Sequence, residues 1–127
     1  MIAIGTSHGL ILAFDGSQTL KWCCLEGQKK QQGAVSALSF NSDDSRLLAG
    51  FARGGILMIA TLTGDVLRTL LESVSPNSGV LSIKWTSRTT LALALDSGGC
   101  VWSLSFTRRM GIRGCDSRCL FSGARGE

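Results

Sequence analysis

The 127 residues carry 13 Lys and Arg against 9 Asp and Glu, a formal net charge of +4, with 44% hydrophobic residues, 16 Gly and one Pro. That balance suits packed strands and tight turns and argues against disorder. No run of 18 apolar residues exists to cross a membrane as a helix, and no Lys or Arg precedes Lys21 to form the leader of a secretory signal; a cytosolic chain with reduced thiols is expected.

In chain order, Ile2 to Gly5 reads as a strand, the stretch up to Gly9 as a turn, and Leu10 to Phe14 as a second strand. Leu20 to Cys23 follows as an outer strand whose Lys21 suits an exposed edge. Val35 to Phe40 alternates apolar and polar residues, and Asn41 to Ser45 forms a turn of residues whose side chains bond their own backbone. The pattern then repeats. Leu47 to Phe51, a turn at Gly54, Ile56 to Ile59 and an outer strand at Leu67 to Leu70 are followed by Val80 to Trp85, Leu91 to Leu95, a turn at Gly98 and Cys100 to Ser103.

Aligning the units places Gly9, Gly54 and Gly98 at one shared turn, 45 and then 44 residues apart. That is the period of a four-stranded propeller blade, about 40–45 residues. Gly5, Gly50 and Ala94 become a recurrent small residue in the strand before the turn, where a neighbouring backbone comes close. The expected fold is all-β: a partial β-propeller of just under three four-stranded WD-like blades, not a closed ring, since closed rings take about 4–8 blades. An incomplete first blade covers about 2–32, a second blade 33–78, and a third blade with the start of the following segment 79–127. Leu38 and Phe40, matched 45 residues on by Ile83 and Trp85, are the expected blade core. The aromatic-Asp pair that ends a WD repeat survives at Phe14-Asp15, with Ile59-Ala60 and Ser103-Leu104 in its place in the later units.

Several residues imitate chemistry. Gly5-Thr6-Ser7-His8-Gly9 has the spacing of a hydrolase nucleophile elbow, but a strand pattern follows where the elbow needs a helix, and the single His lies inside the motif. Asp43-Asp44 sits beside Arg46 in a turn, and Gly54-Gly55 lacks the Lys-Ser/Thr of a phosphate loop. The five cysteines have no disulfide spacing, and zinc would need more ligands than Cys115 and Cys119 supply. Trp22, Trp85 and Trp102 read as core or blade-interface residues, with a partner hot spot as the second reading. Arg108, Arg109, Arg113 and Arg118 read as solvated arginines on an outer strand and its turns, or as a surface for acidic protein or lipid. Nucleic acid is disfavoured because no aromatics interleave with them. No enzyme activity, cofactor or metal is expected.

Three stretches carry a resemblance: Ala34 to Asn41, Ser45 to Gly54 and Ser117 to Glu127, the last with Arg-Cys-Leu-Phe-Ser-Gly. They resemble the N-terminal propeller of the eighth vacuolar-protein-sorting subunit family, part of the CORVET endosomal tethering complex. The resemblance implies a scaffold on early and late endosomes, working with the class C core and a Rab-family GTPase and reaching the membrane only through partners. A WD-repeat scaffold without a trafficking role is the alternative.

Overall fold

A computed structural model describes residues 1–70, 78–109 and 112–122, with the side chains of 107–109 and 112–116 left aside. Three antiparallel sheets follow one another. The first holds β1 (Ile2–Gly5), β2 (Ile11–Phe14) and β3 (Leu20–Cys24); the second β4 (Val35–Phe40), β5 (Arg46–Phe51), β6 (Ile56–Ala60) and β7 (Val66–Leu70); the third β8 (Val80–Trp85), β9 (Leu91–Asp96), β10 (Cys100–Arg109) and β11 (Ile112–Ser122). Each is a meander, with strands paired in sequence order and the sheets not closed into a ring. Among the described residues the one helix is α1 (Glu26–Lys29), a single turn between the first and second sheets that the strand pattern did not anticipate.

Apolar residues on both sides of the middle sheet explain the stacking. Leu47, Ala49, Leu57 and Ile59 are fully buried against Ile11 and Cys24 of the first sheet. The opposite face presents Leu48, Ile56 and Met58 to Val80, Ile83, Ala92, Ala94 and Leu104 of the third. Alternation along β5 thus feeds two cores from one strand, and burying its residues on both sides supplies most of the drive to stack, at about 25 cal/mol per Å² of apolar surface.

The repeat is tighter than the sequence alignment suggests. Positive φ falls at Gly9 (84°), Gly54 (100°) and Gly99 (85°), and each of these amides donates to the carbonyl three residues back, on Thr6, Phe51 and Asp96. Gly98 is therefore not the equivalent of Gly9 and Gly54; Gly99 is, and the interval is 45 residues both times. Two adjacent glycines hid the register, and only the second occupies the left-handed region that side chains avoid.

The shift changes two further alignments. The strand residue matching Gly5 and Gly50 is Leu95, not Ala94, and the pair matching Phe14-Asp15 is Leu104-Ser105, not Ser103-Leu104. The reason for glycine is also specific: a Cβ at Gly50 would stand 2.5 Å from Val80 Cγ1, and one at Gly5 would collide with Val35. A neighbouring valine side chain, rather than neighbouring backbone, requires the small residue.

Candidate protein-interaction surfaces

The meander puts the β1–β2, β5–β6 and β9–β10 turns on one rim and the turns between first and second, and third and fourth, strands of each blade on the other. On the glycine-turn rim, the same position is secured by different chemistry in each blade. Thr6 Oγ1 accepts from the amides of His8 (3.3 Å) and Leu10 (3.0 Å). Ninety residues on, Asp96 Oδ1 accepts from Gly98 and Cys100 at 2.9 Å, while its Oδ2 takes the Trp102 indole N–H at 3.0 Å. Phe51 cannot do this, and Gln32 Oε1 reaches in from the preceding loop to accept from Gly55 at 2.9 Å. Ser7 and His8 are exposed in the first of these turns, and β2 follows as a strand, so the hydrolase elbow is not formed.

The opposite rim clasps the second and third sheets together. Asn41 is buried; its Nδ2 donates to Arg88 O at 2.7 Å and its Oδ1 accepts from the Arg46 amide at 3.0 Å. Asp43 accepts from Ser45 and from Arg88 Nε at 2.8 Å. The Ser45 hydroxyl and amide, with Arg88, hold the Asp43 carboxyl down to about 2 although it is exposed. Trp85 Nε1 donates to Ser39 O at 2.9 Å, and the Trp85 ring lies 5.9 Å from that of Phe106 at 46°.

Beside this clasp opens a groove of about 540 Å³, lined by Phe40, Ser42, Lys84, Trp85, Ser87 and Arg88, with Ser39 and Thr86. Phe40 and Trp85 are half-buried, each packed against a different inter-sheet cluster, and both show an edge to the groove. Their companions sit deeper: Ile83 is 7% exposed and Leu38 is half-buried in the cluster between the first and second sheets. Trp22 donates to Thr61 O at 2.8 Å across the other junction.

Charges of both signs lie along this rim, with Arg46 on the second sheet, and with Arg88 of the third paired to Asp43 of the second. The turns of the first two sheets carry Asp15, Asp43, Asp44 and Asp65, with Lys21 4.0 Å from Asp15. The third sheet brings Lys84 and Arg88 and, beyond them, an extension. β9 pairs with β10 only as far as Leu91 opposite Ser105, whereas β10 and β11 continue as a two-stranded ribbon to Arg109 opposite Ile112. Arg108 stands directly opposite Arg113 in this ladder; their side chains, with that of Arg109, lie outside the described residues. Arg118 is exposed on β11 opposite Ser103, away from the ribbon tip. Neither the groove nor the ribbon was legible in the sequence, because the groove joins turns 45 residues apart and the ribbon's length shows only in the pairing.

Comparison with known proteins places this geometry. The whole chain, residues 1–127, matches the family described as Vps8 beta-propeller. It is 65% identical over 126 residues to the vacuolar protein sorting-associated protein 8 homolog of Drosophila melanogaster, covering 99% of this chain and 10% of that protein. The homologs of Mus musculus and Homo sapiens are 51% and 50% identical over 128 and 130 residues. The chain thus spans about a tenth of the length of these relatives. The crystal structure of the Myceliophteria thermophila Cps50 (Swd1) beta-propeller domain superposes with a TM-score of 0.75, covering 94% of this chain and 34% of that one at 13% identity, a likeness of fold alone. Sequence and architecture agree that the chain belongs to the Vps8 β-propeller family.

Proposed function

We propose that this chain is part of a non-catalytic scaffold for vacuolar protein sorting that helps hold endosomes together for fusion as part of a CORVET-type tether. The observation that carries the reading is identity of 50–65% across the whole chain with proteins named for vacuolar protein sorting. That identity is an overall figure across blades and turns together, and it is the family name that carries the reading. The described carboxylates Asp43 and Asp96 have structural tasks, accepting from neighbouring turns and an indole. In this reading the partners are class C core subunits and a Rab-family GTPase, and the protein sits in the cytoplasm, on endosomes only through those partners.

The test is isolation of the longer protein containing this segment from cells, with and without residues 1–127, followed by identification of what accompanies it. Class C subunits and an endosomal GTPase, reduced on deletion, are the expected result. Unchanged recovery of both would remove this segment from the tether's contacts. Recovery of neither in either form would favour a scaffold without a trafficking role.

A further inference from the structure

On the glycine-turn rim, where the first sheet meets the second, a pocket of about 410 Å³ is lined by Ser7, His8, Gln28, Gln31, Gly33 and Arg53. Backbone contacts hold it in shape. A Cβ on Gly9 would lie 2.8 Å from Gly33 O and 3.2 Å from Gln28 N, so the first turn is pressed onto the loop that carries α1. That loop is tied in turn to the next one: the Arg53 amide donates to Gln32 O at 3.0 Å and the Ala52 amide to Ala34 O at 2.9 Å. A Cβ on Gly33 would stand 3.7 Å from Arg53 Cγ, which lays the arginine stem over Gly33. The lining offers hydrogen-bond donors and no carboxylate. Among the described residues, no hydrogen bond or ion pair engages the side chains of Ser7, His8, Gln28, Gln31 or Arg53, whereas Arg88 on the other rim is spent on Asp43. Residues 6–9, 25–33 and 52–54 contain a single acidic side chain, Glu26, against Lys29, Lys30 and Arg53. Nor does the blade repeat require this set, because 45 residues on, Ala52 stands for Ser7 and Gly98 for Arg53 at the junction of the second and third sheets.

We propose that this pocket binds the phosphate of a phosphorylated Ser or Thr in a partner segment, with the Arg53 guanidinium on two of its oxygens and Ser7, His8, Gln28 and Gln31 supplying neutral donors around it. A planar guanidinium matches phosphate in bidentate geometry, and one fixed cation among neutral donors suits a single phosphate group. A volume of about 410 Å³ admits the phosphorylated side chain with the backbone on either side of it. A lipid surface is the weaker occupant, because such binding grows with the apolar area inserted, and in these segments Leu25 is the one large apolar side chain exposed. The proposal deepens the protein-binding reading above but does not depend on which proteins form the tether.

To test this, the longer protein containing this segment is immobilised and offered two pools of degenerate dodecapeptides, identical except for a central phosphothreonine or threonine. The phosphorylated pool is expected to be retained at least about tenfold over the other. That preference should disappear in Arg53→Glu and in Arg53→Gln, and survive in Lys84→Glu, an exposed charge reversal on the opposite rim. Far-UV circular dichroism of each variant excludes misfolding as the cause. Equal retention of the two pools, retention of neither, a preference that both Arg53 variants leave intact, or an equal loss in Lys84→Glu would overturn the proposal. So would flotation with vesicles of phosphatidylcholine and phosphatidylinositol phosphate, lost in Arg53→Glu, where no peptide is retained. Phosphopeptide retention alongside a failed co-isolation would sink the tether and leave this pocket standing, and the reverse outcome would do the opposite.

Discussion

Gly50→Ala is the most direct probe of how the blades are spaced. The added Cβ would lie 2.5 Å from Val80 Cγ1, 2.7 Å from Val80 Cβ and 3.0 Å from Ile83 Cδ1, whereas carbon atoms in contact prefer about 3.5–4.0 Å. Val80 cannot step aside, because it is fully buried among Leu48, Met58 and Ile83 and its branched side chain is stiff about χ1. Overpacking of this kind costs about 1–3 kcal/mol. Removing a glycine from the unfolded chain returns about 0.4–1 kcal/mol, so a net loss of about 1–2 kcal/mol is expected. Val80→Ala alone empties a buried site and destabilises too, but the double variant lets the new methyl occupy part of that space. The coupling should favour the pair by about 1 kcal/mol, read from urea unfolding of the chain and its three variants by tryptophan fluorescence. Strictly additive losses would show that Gly50 and Val80 do not meet, and the inter-sheet geometry would fall with them.

Other outcomes follow from the same contacts. Gly99→Ala should cost about 1–2 kcal/mol because its φ is 85°. Gly98→Ala should be close to neutral, since its Cβ would meet nothing nearer than Asp96 Oδ1 at 3.4 Å; equal losses at the two positions would restore the sequence alignment. The Asp43 carboxyl is held at about 2, below its ordinary 3.8, by Ser45 and Arg88. Its contribution to stability is present above about pH 4 and lost as the pH falls through about 2. The unfolding midpoint of the wild type should therefore fall more steeply than that of Asp43→Asn across that interval; parallel curves would deny the clasp. Burial raises the Cys24 thiol above its usual value, and Cys23 is exposed. Iodoacetamide at pH 8, followed by mass mapping, should label Cys23 before Cys24, and the reverse order would contradict the assigned faces of β3.

Much of the architecture could be read from residues whose role is repeated. The apolar alternation in β4 and β8, the 45-residue interval and the Asn41 turn all express backbone geometry that each blade must satisfy separately. The misplaced third glycine arose because Gly98 and Gly99 are chemically alike, and only φ separates them. Phe40 and Trp85 share an equivalent place in their blades yet are half-buried, because apolar character does not tell whether a blade edge is capped. α1 was missed because Glu-Gly-Gln-Lys has one turn and an internal glycine, too little for a periodic signal. The candidate site depends on Asn41, Asp43 and Ser39 meeting Arg88 and Trp85, a meeting that belongs to the stacking of sheets and to no local pattern.

The middle sheet has a packed neighbour on each side, while the outward faces of the end sheets leave Ile2 55%, Ile4 48%, Leu95 37% and Phe121 56% exposed. With these 127 residues on their own, a unit bounded twice opens only after one bounded once, because the units of such a stack are held by nearest-neighbour contacts. Amide protons of β5 and β6 should then be the last in the chain to exchange with solvent, and those of β1 and β11 among the first. Opening would travel inward from both ends as separate events, so that the junction of Gly50 with Val80 and that of Gly5 with Val35 can each be lost while the other remains closed.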